Sequence, residues 1–175
     1  DVWMRLLARV EGSVLWLLAG NEVAMANLRQ EAEARGIAGH RLVFAPRAPL
    51  AEHLARHQRA DLFLDTLPCN AHTTTSDALW AGLPVLTCLG TTFAGRVAAS
   101  LLTAVGLPEL ITTSMAAYEA QALHLATHPA VLQGLRRTLQ TQRDNTALFD
   151  TPRFTVHLEQ AYVAMHEHYR KGLAP

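Results

Sequence analysis

The sequence predicts an α/β fold, with a parallel sheet covered by helices on both faces, on three observations. Short, continuously apolar runs such as Ser13–Leu18 and Pro84–Cys88 are too brief for helices and read as buried strands. Helix-forming segments of about ten residues or more separate most of them, which calls for crossover connections rather than hairpins. Polar turns sit where strands give way to helices, the edge on which open parallel sheets hold ligands.

Taken in order, Val2-Trp3, Leu6-Leu7 and Val10 recur at helical spacing, so the chain opens on an amphipathic helix. Ser13–Leu18 follows as a strand buried on both faces. Ala24–Arg35 is strongly helix-forming and is closed by Gly36 and Gly39. Leu42-Val43-Phe44 is a second short strand, stopped by Pro46, and a helix runs from about Leu50 to Gln58. Asp61–Asp65 is a third strand, and Asp77–Ala81 a helix ended by Gly82 and Pro84. Pro84–Cys88 makes a fourth strand, Arg96–Val105 a helix, and Leu110-Ile111 a short fifth strand. The remainder is helical: Met115–Thr127, Ala130–Arg143, and Phe154 to about Tyr169.

Length and composition narrow the function classes. The 175 residues, half of them apolar, make one domain with a core of its own. Fifteen basic residues balance fifteen acidic ones without a block of either sign, so nothing marks a nucleic-acid or membrane surface. No apolar run approaches the roughly 20 residues that span a bilayer. Cys69 and Cys88 lack CxxC spacing, which argues against a disulfide framework and for reduced thiols in a cytoplasmic protein. The chain opens on Asp1, inside a helical pattern, and is expected to be a piece of something longer.

The chemistry gathers in Asp61–Pro84. There a strand, a turn through Pro68-Cys69-Asn70, and His72 with Thr73-Thr74-Thr75-Ser76 lead into a helix. Hydroxyls and free backbone N–H groups at a helix N-terminus carry about half a positive charge and suit a phosphate. Two more polar turns join this edge: Ala45–Pro49, leading to His53 and Arg56, and Gly90–Arg96. Other features read as structural. His53 and His57 have metal-pair spacing but no third ligand of fixed spacing, and there is no HExxH or DxD, so no metal is expected. His166-Glu167-His168 reads as a solvated helix face, Trp80 as core, and Asp65 as a hydrogen-bond acceptor for the turn that follows it. A Ser-His-Asp triad has no G-x-S-x-G elbow to support it.

These stretches carry a family resemblance. His53-Leu-Ala-Arg56, Ala60-Asp-Leu-Phe-Leu-Asp-Thr66, Cys69-Asn-Ala-His-Thr-Thr74 and Asp77-Ala-Leu-Trp-Ala-Gly82 resemble the catalytic region of the O-linked N-acetylglucosamine transferase family. Arg96-Val-Ala-Ala-Ser100 and Leu158-Glu-Gln-Ala-Tyr162 extend the likeness over nearly the whole chain. The resemblance implies a Rossmann-like three-layer α/β/α lobe with a helical C-terminus, the C-terminal lobe of a GT-B enzyme. In the intact protein an N-terminal lobe and tetratricopeptide repeats would accompany it. It implies transfer of GlcNAc from UDP-GlcNAc to serine or threonine hydroxyls of proteins, with inversion and without a metal or other cofactor. By position, the Ala48 backbone and Arg56 would contact uracil, and His53 would lie against its face. His72, Thr73 and Thr74 would hold the diphosphate, His72 as the catalytic residue of this lobe, and Asp77 the ribose hydroxyls.

Three departures qualify the likeness. Leu50 stands where some relatives have a ribose-contacting lysine. Relatives also carry a glutamine and a phosphate-neutralising lysine just before the first helix, and a histidine on the other lobe, and this chain has neither segment. A helix end supplies only about 1–2 kcal/mol against the roughly 8 kcal/mol or more that enzymatic catalysis removes, so the chain alone should bind nucleotide weakly and turn over nothing. If the absent segment is the central strand of a 3-2-1-4-5-6 sheet, the Ser13–Leu18 and Leu62–Asp65 strands should flank an empty slot. Two other readings stay open: a different GT-B enzyme, such as a UDP-sugar epimerase, and a non-catalytic nucleotide-sensing module of a repeat scaffold.

Overall fold

Two small parallel sheets, laid down in chain order, carry the fold. The computed structural model describes residues 1–173. In the first half, α1 (Val2–Arg9), β1 (Leu15–Leu18), α2 (Glu22–Glu33), β2 (Leu42–Ala45) and α3 (Leu50–His57) follow one another. β1 pairs with β2 in parallel, from Leu15 opposite Leu42 to Leu18 opposite Ala45. The Asn21 side chain accepts the Ala24 N–H at 2.7 Å and so starts α2 two residues before the predicted Ala24, as an N-cap does. Arg41 closes the approach to β1 by donating to Val10 O and Ser13 O at 2.9 and 2.8 Å.

In the second half come β3 (Phe63–Leu64), α4 (Thr73–Trp80), β4 (Val85–Cys88), α5 (Val97–Val105) and β5 (Ile111–Thr112). Then α6 (Met115–Thr127), α7 (Pro129–Gln142) and α8 (Thr151–Arg170) complete the helical C-terminus the sequence predicts. The sheet order is β3-β4-β5, all parallel. β4 is central and every residue in it is buried, the apolar run of a strand covered on both faces. Around it pack Leu79, Leu83, Leu102, Leu107, Leu110, Leu125 and Leu139.

Several boundaries and burials differ from the sequence reading. α4 starts at Thr73 rather than Asp77, because backbone bonds from Thr75 and Ser76 to His72 O already close its first turn. β3 shrinks to two residues, and the fifth strand moves one residue on, behind a 3₁₀ turn at Pro108–Leu110. β1 is not buried on both faces: Leu18 is 55% exposed and its neighbours are only partly covered, because among the described residues no strand pairs its far edge. Trp80 is not core but 40% exposed, lying edge-on to Phe149 and under the Arg143 guanidinium.

β1 and β3 are not hydrogen-bonded to each other. The halves are tied instead through α1, where Leu6 joins the larger core and Arg5 makes a two-pronged ion pair with Glu119 of α6 at 2.8 and 2.6 Å. That pairing holds the Glu119 carboxyl below its ordinary range. α8 has no buried residue, and its His166-Glu167-His168 face is exposed as predicted. Among the described residues no helix is long and apolar enough to cross a membrane.

Candidate functional site

The turn between β3 and α4 is fixed from below by Asp65. This carboxylate is buried and accepts the Thr87 hydroxyl at 2.6 Å and the Ala71 backbone N–H at 2.7 Å. The Tyr118 hydroxyl donates to Asp65 O at 2.9 Å, and burial pushes that phenol far above its ordinary value. Thr112 donates to Thr87 O in turn. The ends of β3, β4 and β5 are thus laced together beneath one residue, Ala71, that precedes the N-cap of α4. Asp65 serves the turn that follows it, the role the sequence predicts.

Above that base the helix end is open. His72 is the N-cap, yet its side chain makes no capping bond; Thr75 and Ser76 N–H turn back to His72 O, which leaves the Thr73 and Thr74 N–H groups without a partner among the described residues. Of the three consecutive threonines, Thr75 is buried and returns its hydroxyl to Ala71 O at 2.9 Å. Thr73 and Thr74 are exposed and free to meet an anion. His72 is half-buried, its Nε2 3.4 Å from Ala94 O and its ring edge-on to Phe93. The corner is an open ledge, neither buried nor plugged. Grooves elsewhere, along α8 at Val156, Glu159 and Val163 and between Thr103 and Ala147, contain none of these groups.

On the other flank α3 brings its polar residues against α4. Arg56 donates to Pro46 O at 2.7 Å and to His53 Nδ1 at 2.8 Å, with its guanidinium 5.8 Å from the Trp16 ring centroid. A guanidinium can only donate, so His53 Nδ1 must accept and the ring proton sits on Nε2. That Nε2 faces Asp77 Oδ2 at 3.9 Å. Burial first, then His57 and Arg56, hold the His53 imidazole below its ordinary value, overcoming the opposite pull of Asp77. Ala48 lies half-buried in the turn leading into α3.

The structure therefore brings His53, Arg56, His72, Thr73, Thr74 and Asp77 onto one edge, as the sequence predicts, with Ala48 in the adjoining turn. The His53–His57 pair makes a T-shaped ring contact, with His57 Nδ1 donating to His53 O at 2.6 Å. Among the described residues no three His, Cys, Asp or Glu side chains converge as a metal site would. Sequence reasoning missed Trp16, which backs Arg56, and Phe93, which stands beside His72. Trp16 was hidden in an apolar strand run, whereas Phe93 was visible as the one aromatic in the Gly90–Arg96 turn.

Comparison with known proteins gives concordant results. The family model described as glycosyl transferase family 41 matches residues 1–158. The probable UDP-N-acetylglucosamine--peptide N-acetylglucosaminyltransferase SEC of Arabidopsis thaliana is 38% identical over an alignment of 176 positions that covers 100% of this chain and 18% of that protein. The UDP-N-acetylglucosamine--peptide N-acetylglucosaminyltransferase of Caenorhabditis elegans is 35% identical over 173 residues, 99% of this chain and 15% of that one. A solved structure, the K341M mutant of Thermobaculum terrenum O-GlcNAc transferase, superposes with a TM-score of 0.87 at 35% identity, covering 94% of this chain and 32% of that one. The chain thus spans less than a fifth of the length of these two curated relatives.

Proposed function

The chain belongs to glycosyl transferase family 41, and from that premise we propose that it is the UDP-binding lobe of a protein O-GlcNAc transferase. The reaction would be inverting and metal-independent, moving GlcNAc from UDP-GlcNAc to serine or threonine hydroxyls. The observation that carries this is the open start of α4, where an uncapped helix end and two exposed threonines sit beside a polar flank built from α3.

Each residue then has a task its geometry suits. The free N–H groups and hydroxyls of Thr73 and Thr74 take the pyrophosphate, whose charge the helix end favours. His72 lies at the same end and stabilises the UDP anion as the glycosidic bond breaks. Asp77 accepts from the ribose diol. The neutral His53 ring takes one face of uracil, while the Ala48 backbone and Arg56 meet its polar edge. Arg56 is preorganised for this, since Pro46 O and His53 fix its fork in advance. The acceptor's hydroxyl attacks from the side of the N-terminal lobe, the lysine that neutralises the departing phosphate comes from the segment before α1, and tetratricopeptide repeats choose the acceptor. A strand from the same polypeptide would fill the space between β1 and β3, and their lack of mutual pairing supports that. Two free cysteines, Cys69 exposed and Cys88 buried, favour a cytoplasmic setting.

The test is calorimetric titration of the full-length protein with UDP, UDP-GlcNAc and GDP-fucose, followed by UDP release from UDP-GlcNAc with a peptide acceptor. UDP binding together with acceptor-dependent release is the expected result. Binding without release would make the protein a nucleotide sensor. An altered sugar formed without acceptor would make it an epimerase. No UDP binding would remove the proposal.

A further inference from the structure

Phe93 is 82% exposed, yet the loop that carries it is tightly held. Gly90 N–H donates to Gly95 O at 2.7 Å, Gly95 N–H to Thr92 O at 3.1 Å, and Arg96 N–H to Phe93 O at 3.0 Å. Asn70 N–H donates to Ala94 O at 2.8 Å, docking the loop on the turn that leads to His72. Gly90 and Gly95 touch so closely that a Cβ on either would meet the other's backbone at 3.1 Å. A large apolar ring left in water by a flexible loop would mean little. Here it is fixed edge-on to His72, with ring centroids 6.1 Å apart and planes at 89°.

We infer that Phe93 is the donor-sugar platform of this lobe, receiving the apolar C–H face of the hexose attached to UDP. The inference rests on the reading above and extends it to the sugar. A nucleotide sugar is connected in a line of base, ribose, pyrophosphate and hexose. With the base at His53, the ribose at Asp77 and the pyrophosphate at Thr73 and Thr74, the nucleoside occupies the α3 flank of the helix end. The hexose is then left on the opposite flank, where His72 and Phe93 stand. A pyranose carries its hydroxyls around its rim and C–H groups on its faces, so an exposed aromatic ring offers it apolar area that water does not. The rigidity of the loop keeps the ring in place before the sugar arrives, so little ordering is needed on binding.

Calorimetry on the full-length protein separates this role from others, using UDP and UDP-GlcNAc as the two probes. Phe93→Ala should weaken UDP-GlcNAc by about threefold to tenfold while leaving UDP unchanged, and Phe93→Tyr, which keeps the ring, should restore the wild-type ratio. Equal losses for both ligands would mean that the ring only steadies His72, and unchanged affinities would mean that the sugar lies elsewhere. Either result overturns the inference alone. Failure of the wild-type protein to bind UDP would overturn it together with the functional reading.

Discussion

The two halves of this lobe use the same βα grammar to different depth. Around β3, β4 and β5 the core is continuous, running from Leu79 and Leu86 through Leu102 and Leu110 to Leu125 and Leu139. Around β1 and β2 only Leu7, Ala32, Ile37 and Leu42 form a buried cluster, and Val14, Leu18 and Val43 remain exposed. The proposed phosphate corner stands on the first of these halves, whereas the Ala45–Pro49 turn that begins the nucleoside flank hangs from the second. If the corner and the flank act as proposed, charge recognition would be mounted where local opening is costliest, while base recognition would sit on the part free to adjust.

The largest effect should separate the two cores. Leu86→Ala in the central strand should cost about 4–5 kcal/mol, the upper end for a buried leucine, because surrounding layers cannot collapse into the void. Leu42→Ala should cost nearer to about 2 kcal/mol, since the thin β1–β2 half can relax around it. Chemical denaturation of both variants measures this, and equal costs would break the contrast. Hydrogen exchange supplies a check without mutation. The Ala19 N–H bonded to Ala45 O should open well before the amides that join β3 to β4.

Next comes chemistry without stability. His72→Ala should lower transfer by the full-length protein by about 100- to 1000-fold, the scale for removing one donor to a developing anion. Because His72 makes no capping bond, its melting temperature should stay within about 2 °C of wild type. Turnover at the wild-type rate would sink the role given to His72. Asp65→Ala should do the reverse in proportion. It strands the Thr87 hydroxyl and the Ala71 N–H, costing about 2–3 kcal/mol of stability, and loosens the turn that presents His72. Asp65→Asn should recover most of the stability by keeping an acceptor for Ala71.

How much of this was legible in the sequence follows from the physics of each position. The alternation of apolar runs and helices was enough for a parallel α/β fold, and the polar turns were enough to mark the candidate edge on which His53, His72 and Asp77 meet. The start of α4 was not readable, because threonine's weak helix propensity is overridden by the bond the Ala71 N–H donates to the Asp65 carboxylate, a contact with the strand before the turn. Burial of β1 was misjudged for a different reason: an apolar run specifies that a strand forms but not whether its edge finds a partner. Trp80 shows the same limit on a smaller scale. At helical spacing it reads as core, and only its edge contact with Phe149 and the packing of Arg143 over it show it on the surface.

The nucleoside flank yields a milder prediction for Arg56. Arg56→Ala removes the donors held by Pro46 O and His53 and uncovers Trp16, so UDP affinity should fall by about tenfold. Stability should change little, since the group is only partly buried. Calorimetry with UDP decides it, and a loss confined to UDP-GlcNAc would place Arg56 on the sugar instead of the base.

The smallest effect concerns the proton on His53, and it tests whether the flank is prepared for an aromatic ligand. Burial leads, and His57 and Arg56 add to it, so the folded ring titrates below its ordinary 6.5 despite Asp77. The unfolded chain therefore binds more protons across that interval, and the stability from keeping His53 neutral is complete above 6.5 and lost as pH falls through the folded midpoint. Imidazole NMR should place the His53 midpoint below 6.5, and Arg56→Ala should move it upward by removing one of the two repulsive neighbours. A midpoint above 6.5 would mean that Asp77 controls the ring. His53 would then meet the nucleotide as a cation, and Arg56 could no longer donate to its Nδ1.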